Sequence, residues 1–270
     1  MTGHAGDRRA ARAARLARLA AIVLALCILA AGRAQPAPLR LLVVTHSEGY
    51  EHEVVRRPPR GGLSLVERAI TELGQRSSRF GVTRVATRDE LAGLTPAVIQ
   101  AHQGVLFFTS GELPMTPAVR EAIFRRVREG AGFIGVHSAT DTWYTVPEYH
   151  ELVGGTFDGH PWHGPVALVV EDRTHPATRG LGDAVKISDE IYQFRDWSRE
   201  HVHVLLRLDR RSVDVARGKR ADHDYALAWT RRHGRGRVVY TALGHEPAVW
   251  SDERFRAHLL GAIEWAMAGS

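Results

Sequence analysis

Four short runs rich in β-forming residues constrain this chain most: Leu39–His46 (LRLLVVTH), Val82–Ala86, Val105–Thr109 (VLFFT) and Phe133–His137 (FIGVH). Three of them are continuously apolar, without the alternation of a half-exposed strand. That pattern belongs to strands buried on both faces, as in a parallel sheet covered by helices. Between the runs the apolar spacing changes: Leu63–Leu73 carries apolar residues at 63, 66, 69, 70 and 73, and Pro117–Glu129 is amphipathic. Both predict helices. Strand and helix alternating at this spacing predict an α/β fold built on a doubly wound, mostly parallel sheet. Extra strands are expected in the second half, at Val166–Val170, Ile191–Phe194, Val202–Leu208, Tyr225–Thr230 and Val238–Thr241. Asp252–Met267 reads as a closing helix, and the charged stretch Arg210–Asp224 as an exposed loop.

With 44% hydrophobic residues in 270, the chain has material for a sizeable core, which excludes a largely disordered protein. The net charge of +6 is concentrated at the start: residues 1–34 hold six arginines and one acid, and the remainder carries 30 bases and 29 acids. A folded domain so nearly neutral gives no electrostatic footprint for nucleic acid. Residues 1–34 read as a signal peptide, with an Arg-rich start, an uncharged stretch from Leu19 to Ala31, and small residues that allow cleavage after Gly32 or, preferably, Ala34. The apolar stretch is short for a stable membrane anchor. The expected product is one domain over 35–270, periplasmic or extracellular. Arg8-Arg9 leaves the twin-arginine route open, and Cys27 sits in an imperfect lipoprotein box. Since Cys27 is the only cysteine, cleavage would remove every disulfide, thiolate ligand and thiol nucleophile.

Polar residues gather where the buried runs end: Thr45-His46, Ser110-Gly111-Glu112, Ser138 through Asp141, and Gly244-His245-Glu246. In an open parallel sheet ligands bind at the carboxyl ends of the strands, so these ends should converge. Gly135-Val136-His137-Ser138-Ala139 has the small-x-polar-x-small form of a nucleophile elbow, with His137 in the central place. An imidazole there suits a general base or a metal ligand near neutral pH, or a buried residue bonded to backbone.

Gly135–Tyr144 (GVHSATDTWY), Leu152–Phe157 (LVGGTF), His160-Pro161-Trp162, His175-Pro176, Asp189–Tyr192 with Phe194, Gly234–Arg237 and Tyr240–His245 (YTALGH) together resemble the ThuA-like (trehalose utilisation) family. Gly49-Tyr50-Glu51-His52 is similar to its N-terminal Gly-aromatic-x-His element. The resemblance runs over about residues 39 to 268. It implies a flavodoxin-like fold similar to class I glutamine amidotransferases, and an association with disaccharide and keto-sugar catabolism. Amidotransferases carry Cys at the elbow; the thiol is missing here, so glutaminase chemistry is excluded.

The expected function is an enzyme acting on a carbohydrate or keto-sugar derivative by elimination, isomerisation or hydrolysis, hence a lyase, isomerase or hydrolase. His137 and His245 are the candidate acids, bases or metal ligands, oriented by Asp141, Glu112 and Glu190. His46, His52, Trp143, Tyr144, His160, Trp162 and His163 are the candidate substrate contacts, the tryptophans as stacking platforms. His160 and His163 with Asp158 could share a divalent metal such as zinc, although no standard ligand spacing is present. Asp189 and Glu190 could serve as acid or base or bind sugar hydroxyls, or instead cap backbone amides in a turn. His201 and His203 should be solvated, His175 should shape a turn, and Trp265 should join the core. The alternative is a non-catalytic carbohydrate-binding module on an amidotransferase-like scaffold. The small-molecule partner expected is a sugar; oligomeric state is not legible.

Overall fold

The computed structural model describes residues 37–269; the expected signal segment and Cys27 lie outside them. Strands β1 (Leu39–Val44), β2 (Phe80–Val85), β3 (Gly104–Phe107), β4 (Gly132–Val136) and β11 (Gly236–Thr241) form a parallel half-sheet in the order β2-β1-β3-β4-β11. This is the flavodoxin-like order, and the doubly wound reading of the sequence is realised. Leu41–Val44, Val105–Phe107 and Phe133–Ile134 are wholly buried, as their uninterrupted apolar pattern requires. Beyond β11 the sheet continues antiparallel through β10 (Ala226–His233), β9 (His203–Leu208), β6 (Trp162–Val170) and β7 (Ala184–Ile191).

Helices cover both faces. They are α1 (Leu65–Ser77), α2 (Arg88–Ala92), α3 (Pro96–Gln100), α4 (Pro117–Arg128), α5 (Pro147–Val153) and α6 (Glu253–Met267). Successive strand residues point to opposite faces. On β4, a Cβ at Gly132 would stand 2.7 Å from the Ala266 carbonyl carbon of α6, whereas the next residue, Phe133, meets Tyr149 of α5 on the other side. Ser64 and Glu67 form a capping box that starts α1, and Thr87 and Glu90 do the same for α2. The Arg57 guanidinium bonds both capping glutamates, with Glu67 wholly buried, and so ties the two helix starts together. No described helix is long and apolar enough to cross a membrane.

The predicted boundaries hold within a few residues for most elements. One strand is misplaced: Ile191–Phe194 is two elements, because β7 ends at Ile191 and β8 (Phe194–Arg195) pairs with β5 (Thr156–Phe157) in a separate two-stranded sheet. Gln193 donates its N–H to the Gly159 carbonyl, and this turns the chain out of β7. His203 is exposed and bonds Asp172, His175 lies in a turn fixed by Asp172, and Trp265 packs partly buried against the core. The Arg210–Asp224 loop contains two single 3-10 turns.

His258 of α6 is a buried imidazole, with Nδ1 bonded to the Ala177 carbonyl. Burial pushes it from the usual 6.5 down to about 4. The unfolded ring gains a proton below 6.5 and the folded ring resists until about 4, so its stabilising share is complete above 6.5 and disappears as pH falls. That share is at most about 3 kcal/mol. Denaturant unfolding across this interval should show stability falling with pH, and less steeply in His258→Gln.

Candidate active site

The geometry begins with strand register. Thr241 of β11 lies opposite Val136 of β4, so the residues that leave the two strands, His137 and Ala242, emerge side by side. The His137 Nδ1–H donates to the Ala242 carbonyl at 2.7 Å, which leaves Nε2 of the neutral ring as an acceptor directed away from the strand. His137 has φ +46°, in the left-handed region that a residue with a side chain adopts only under constraint. The constraint is visible: Tyr240 Oη donates to the His137 carbonyl at 2.7 Å. Its ring passes so close to Gly135 that a Cβ there would lie 2.9 Å from it. The small residue of the elbow is therefore required by packing, as the motif predicted.

Around His137 Nε2 lie His52 Nε2 at 3.1 Å, His245 Nδ1 at 3.3 Å and Glu190 Oε2 at 3.5 Å; His245 Nδ1 and Glu190 Oε2 are 3.2 Å apart. These four atoms all fall within 4.8 Å of one another. The Glu190 Oε1 atom is held by His160 Nδ1 at 3.1 Å. Burial opposes ionisation of Glu190, but contact with His137 and His245 outweighs it and holds the carboxyl well below the usual range. Burial, with His137 and His245 alongside, pushes the His52 imidazole down to about 3. The hydrogen bond with Glu190 raises His245.

The neighbouring Asp189 acts differently. It is fully buried and accepts the N–H groups of Gly244 at 2.7 Å and Glu246 at 2.9 Å, fixing the loop that carries His245. Burial raises its carboxyl. The two functions considered for this pair are thus divided between adjacent residues on opposite faces of β7. His163 bonds Glu246 at 2.6 Å, and with His245 these form a second group of donors at the rim.

The cluster forms one wall of an open cavity of about 310 Å³, lined by Tyr50, His52, Asp141, Phe157, His160, Glu190, Tyr192 and His245. Burial raises the Asp141 carboxyl, which accepts the Tyr144 hydroxyl. His137, His245, Glu190, His52, His160 and Asp141 are therefore brought together, with Tyr144 beside them. Others expected here are elsewhere. Glu112 is exposed and occupied with the Thr145 N–H and hydroxyl, and His46 bonds the Ala86 carbonyl and Glu48. Trp143 and Trp162 are not stacking platforms: both are buried, their indole N–H groups donating to the carbonyls of Leu113 and Asp214. The open aromatic surface comes from Tyr50, which is 66% exposed, and from half-buried Phe157, while Tyr192 lines the cavity from a buried position. Nor do His160 and His163 share one ion with Asp158, because they turn to Glu190 and Glu246 while Asp158 pairs with Lys219. The signal for Tyr50 and Tyr192 lies in the motifs Gly49–His52 and Asp189–Tyr192.

Residues 40–266 match the ThuA, trehalose utilisation, family. The chain belongs to that family. Among solved structures it is similar to ThuA-like proteins from Parabacteroides merdae ATCC 43184 (TM-score 0.65, 19% identity, 86% of this chain and 91% of that one) and Bacteroides uniformis ATCC 8492 (0.67, 20%, 87% and 94%). It is also similar to the cytoplasmic protein STM3548 from Salmonella typhimurium (0.54, 11%, 84% and 98%). At these identities the likeness is one of fold. No curated protein matches the sequence.

Asp189→Ala leaves two backbone N–H groups without their acceptor and should cost about 2 kcal/mol or more, while Asp189→Asn, which keeps one acceptor, should cost less. Denaturant midpoints of the two variants check the order; equal, negligible losses would contradict the anchoring function.

Proposed function

We propose that this ThuA-family protein is an enzyme acting on a carbohydrate or keto-sugar derivative, by elimination, isomerisation or hydrolysis at the cavity beside His137 and His245. The observation that carries the reading is three imidazoles and a carboxylate packed at one side of a cavity whose other walls are aromatic and polar. Its volume of about 310 Å³ suits a small molecule. Tyr50 and Phe157 offer faces for the apolar side of a sugar ring, and Asp141, His160 and Glu190 offer hydrogen-bond partners for its hydroxyls. Abstraction of a proton next to a keto group needs a base available near neutral pH. His245, hydrogen-bonded to Glu190 and reaching the cavity, supplies that group. Glu190 then balances the imidazolium that forms. A non-catalytic binding module would need no such concentration of titratable groups. Residues 1–34 would direct this activity outside the cytoplasm.

Glucosides, trehalose and their 3-keto derivatives, followed by NMR, test the proposal. Turnover of at least one is expected. His137→Ala and His245→Ala should each lower kcat/KM by about 100-fold or more, and the double variant should be little worse, because residues acting as a unit are not additive. Saturable sugar binding without turnover would overturn the enzymatic reading in favour of a binding module.

A further inference from the structure

We infer that His52 Nε2, His137 Nε2, His245 Nδ1 and Glu190 Oε2 form a binding site for one divalent metal ion of the zinc class. Zinc bonds to imidazole nitrogen and carboxylate oxygen are about 2.0–2.2 Å, so four tetrahedral ligands stand about 3.3–3.5 Å from each other. Separations of 3.1, 3.2, 3.3 and 3.5 Å for four of the six pairs fit that frame, and all six lie within 4.8 Å. The donors come from four separate parts of the chain: the loop after β1, the end of β4, β7, and the loop after β11. One ligand atom from each lies within 4.8 Å of the others.

The supporting contacts agree with ligation. His137 donates its other ring N–H to the Ala242 carbonyl, which fixes both tautomer and ring plane, and Glu190 has its second oxygen held by His160. Asp189 immobilises the backbone on either side of His245. Three imidazoles select zinc, cobalt, nickel or copper over magnesium and calcium, which prefer all-oxygen sites. Each neutral imidazole gives a lone pair, and a proton on a ligating nitrogen leaves to solvent; no oxidant or reductant is involved. Since His52, Glu190 and His245 also line the cavity, an ion here would reach a sugar carbonyl or hydroxyl and polarise it, and in that metal-bound form His245 is a ligand and not the proton acceptor. That catalytic consequence rests on the proposed sugar reaction, whereas the site itself does not.

The experiment uses the full folded protein stripped with chelator, its fold checked by circular dichroism, and titrated calorimetrically with Zn²⁺ and Mg²⁺. The expected result is one Zn²⁺ per chain and no comparable Mg²⁺ binding. Co²⁺ in its place should give the intense visible absorption of a tetrahedral nitrogen and oxygen site, a readout that needs no variant and no substrate. His52→Ala and Glu190→Gln should weaken Zn²⁺ by about 100-fold or more, while the surface variant His203→Ala leaves it unchanged. A folded wild type that takes no Zn²⁺, or binding that survives both site variants, overturns the inference. Loss in His163→Ala with retention in His52→Ala also overturns it, because the ion would then belong to the rim group His163, His245 and Glu246. Tight metal binding without sugar turnover contradicts the enzymatic reading alone; full turnover in the stripped protein contradicts only the ion's part in it.

Discussion

The parallel pairing of β4 with β11 is the contact on which the site depends. Because Val136 and Thr241 are partners, His137 and Ala242 meet as soon as the strands end, and the Nδ1–H to carbonyl bond at 2.7 Å converts register into imidazole orientation. A shift of one residue would turn the side chains to the opposite face and remove the site altogether. Tyr240, itself on β11, then holds the His137 carbonyl, so the same strand fixes both ends of the strained residue. Strain of about 1–3 kcal/mol is usual for such a residue and persists only where surroundings over-determine it.

The antiparallel half of the sheet completes what the parallel half begins. β7 delivers two acidic residues in succession, and strand geometry sends them to different partners. Asp189 satisfies two backbone donors that would otherwise be orphaned, and Glu190 meets two imidazoles of the cluster. Exchange of these functions is not available to either residue without reversing the strand. Burying two carboxylates this close is expensive, and here Asp189 is compensated by two backbone N–H groups and Glu190 by the imidazoles of His245 and His160. The extra strands thus do more than widen the sheet, since β7 supplies the carboxylate that meets His137 and His245.

How much of this was legible varied with the kind of interaction. The buried strands and their polar ends were readable because continuous apolar runs have few other solutions, and the end of each run located His137 and His245. His52 came only through a family motif: it lies eight residues past the final residue of β1, farther than periodicity can follow. Trp143 and Trp162 were misread because an indole beside polar residues looks the same in sequence whether its N–H meets a ligand or a backbone carbonyl. The separation of His160 from His163 was hidden for a similar reason: their spacing allowed a shared ion, but the partners that divide them, Glu190 and Glu246, lie far away in the chain.

The claim common to the fold and the chemistry is that strand ends from both halves of the sheet create one centre facing one cavity. A crystal structure of the protein soaked with a glucoside and with its 3-keto derivative tests this most directly. The account predicts a sugar ring against Tyr50, with its reacting carbon toward His245 and Glu190. A sugar bound at another surface, with the cavity beside His52, His137 and His245 empty, would contradict it.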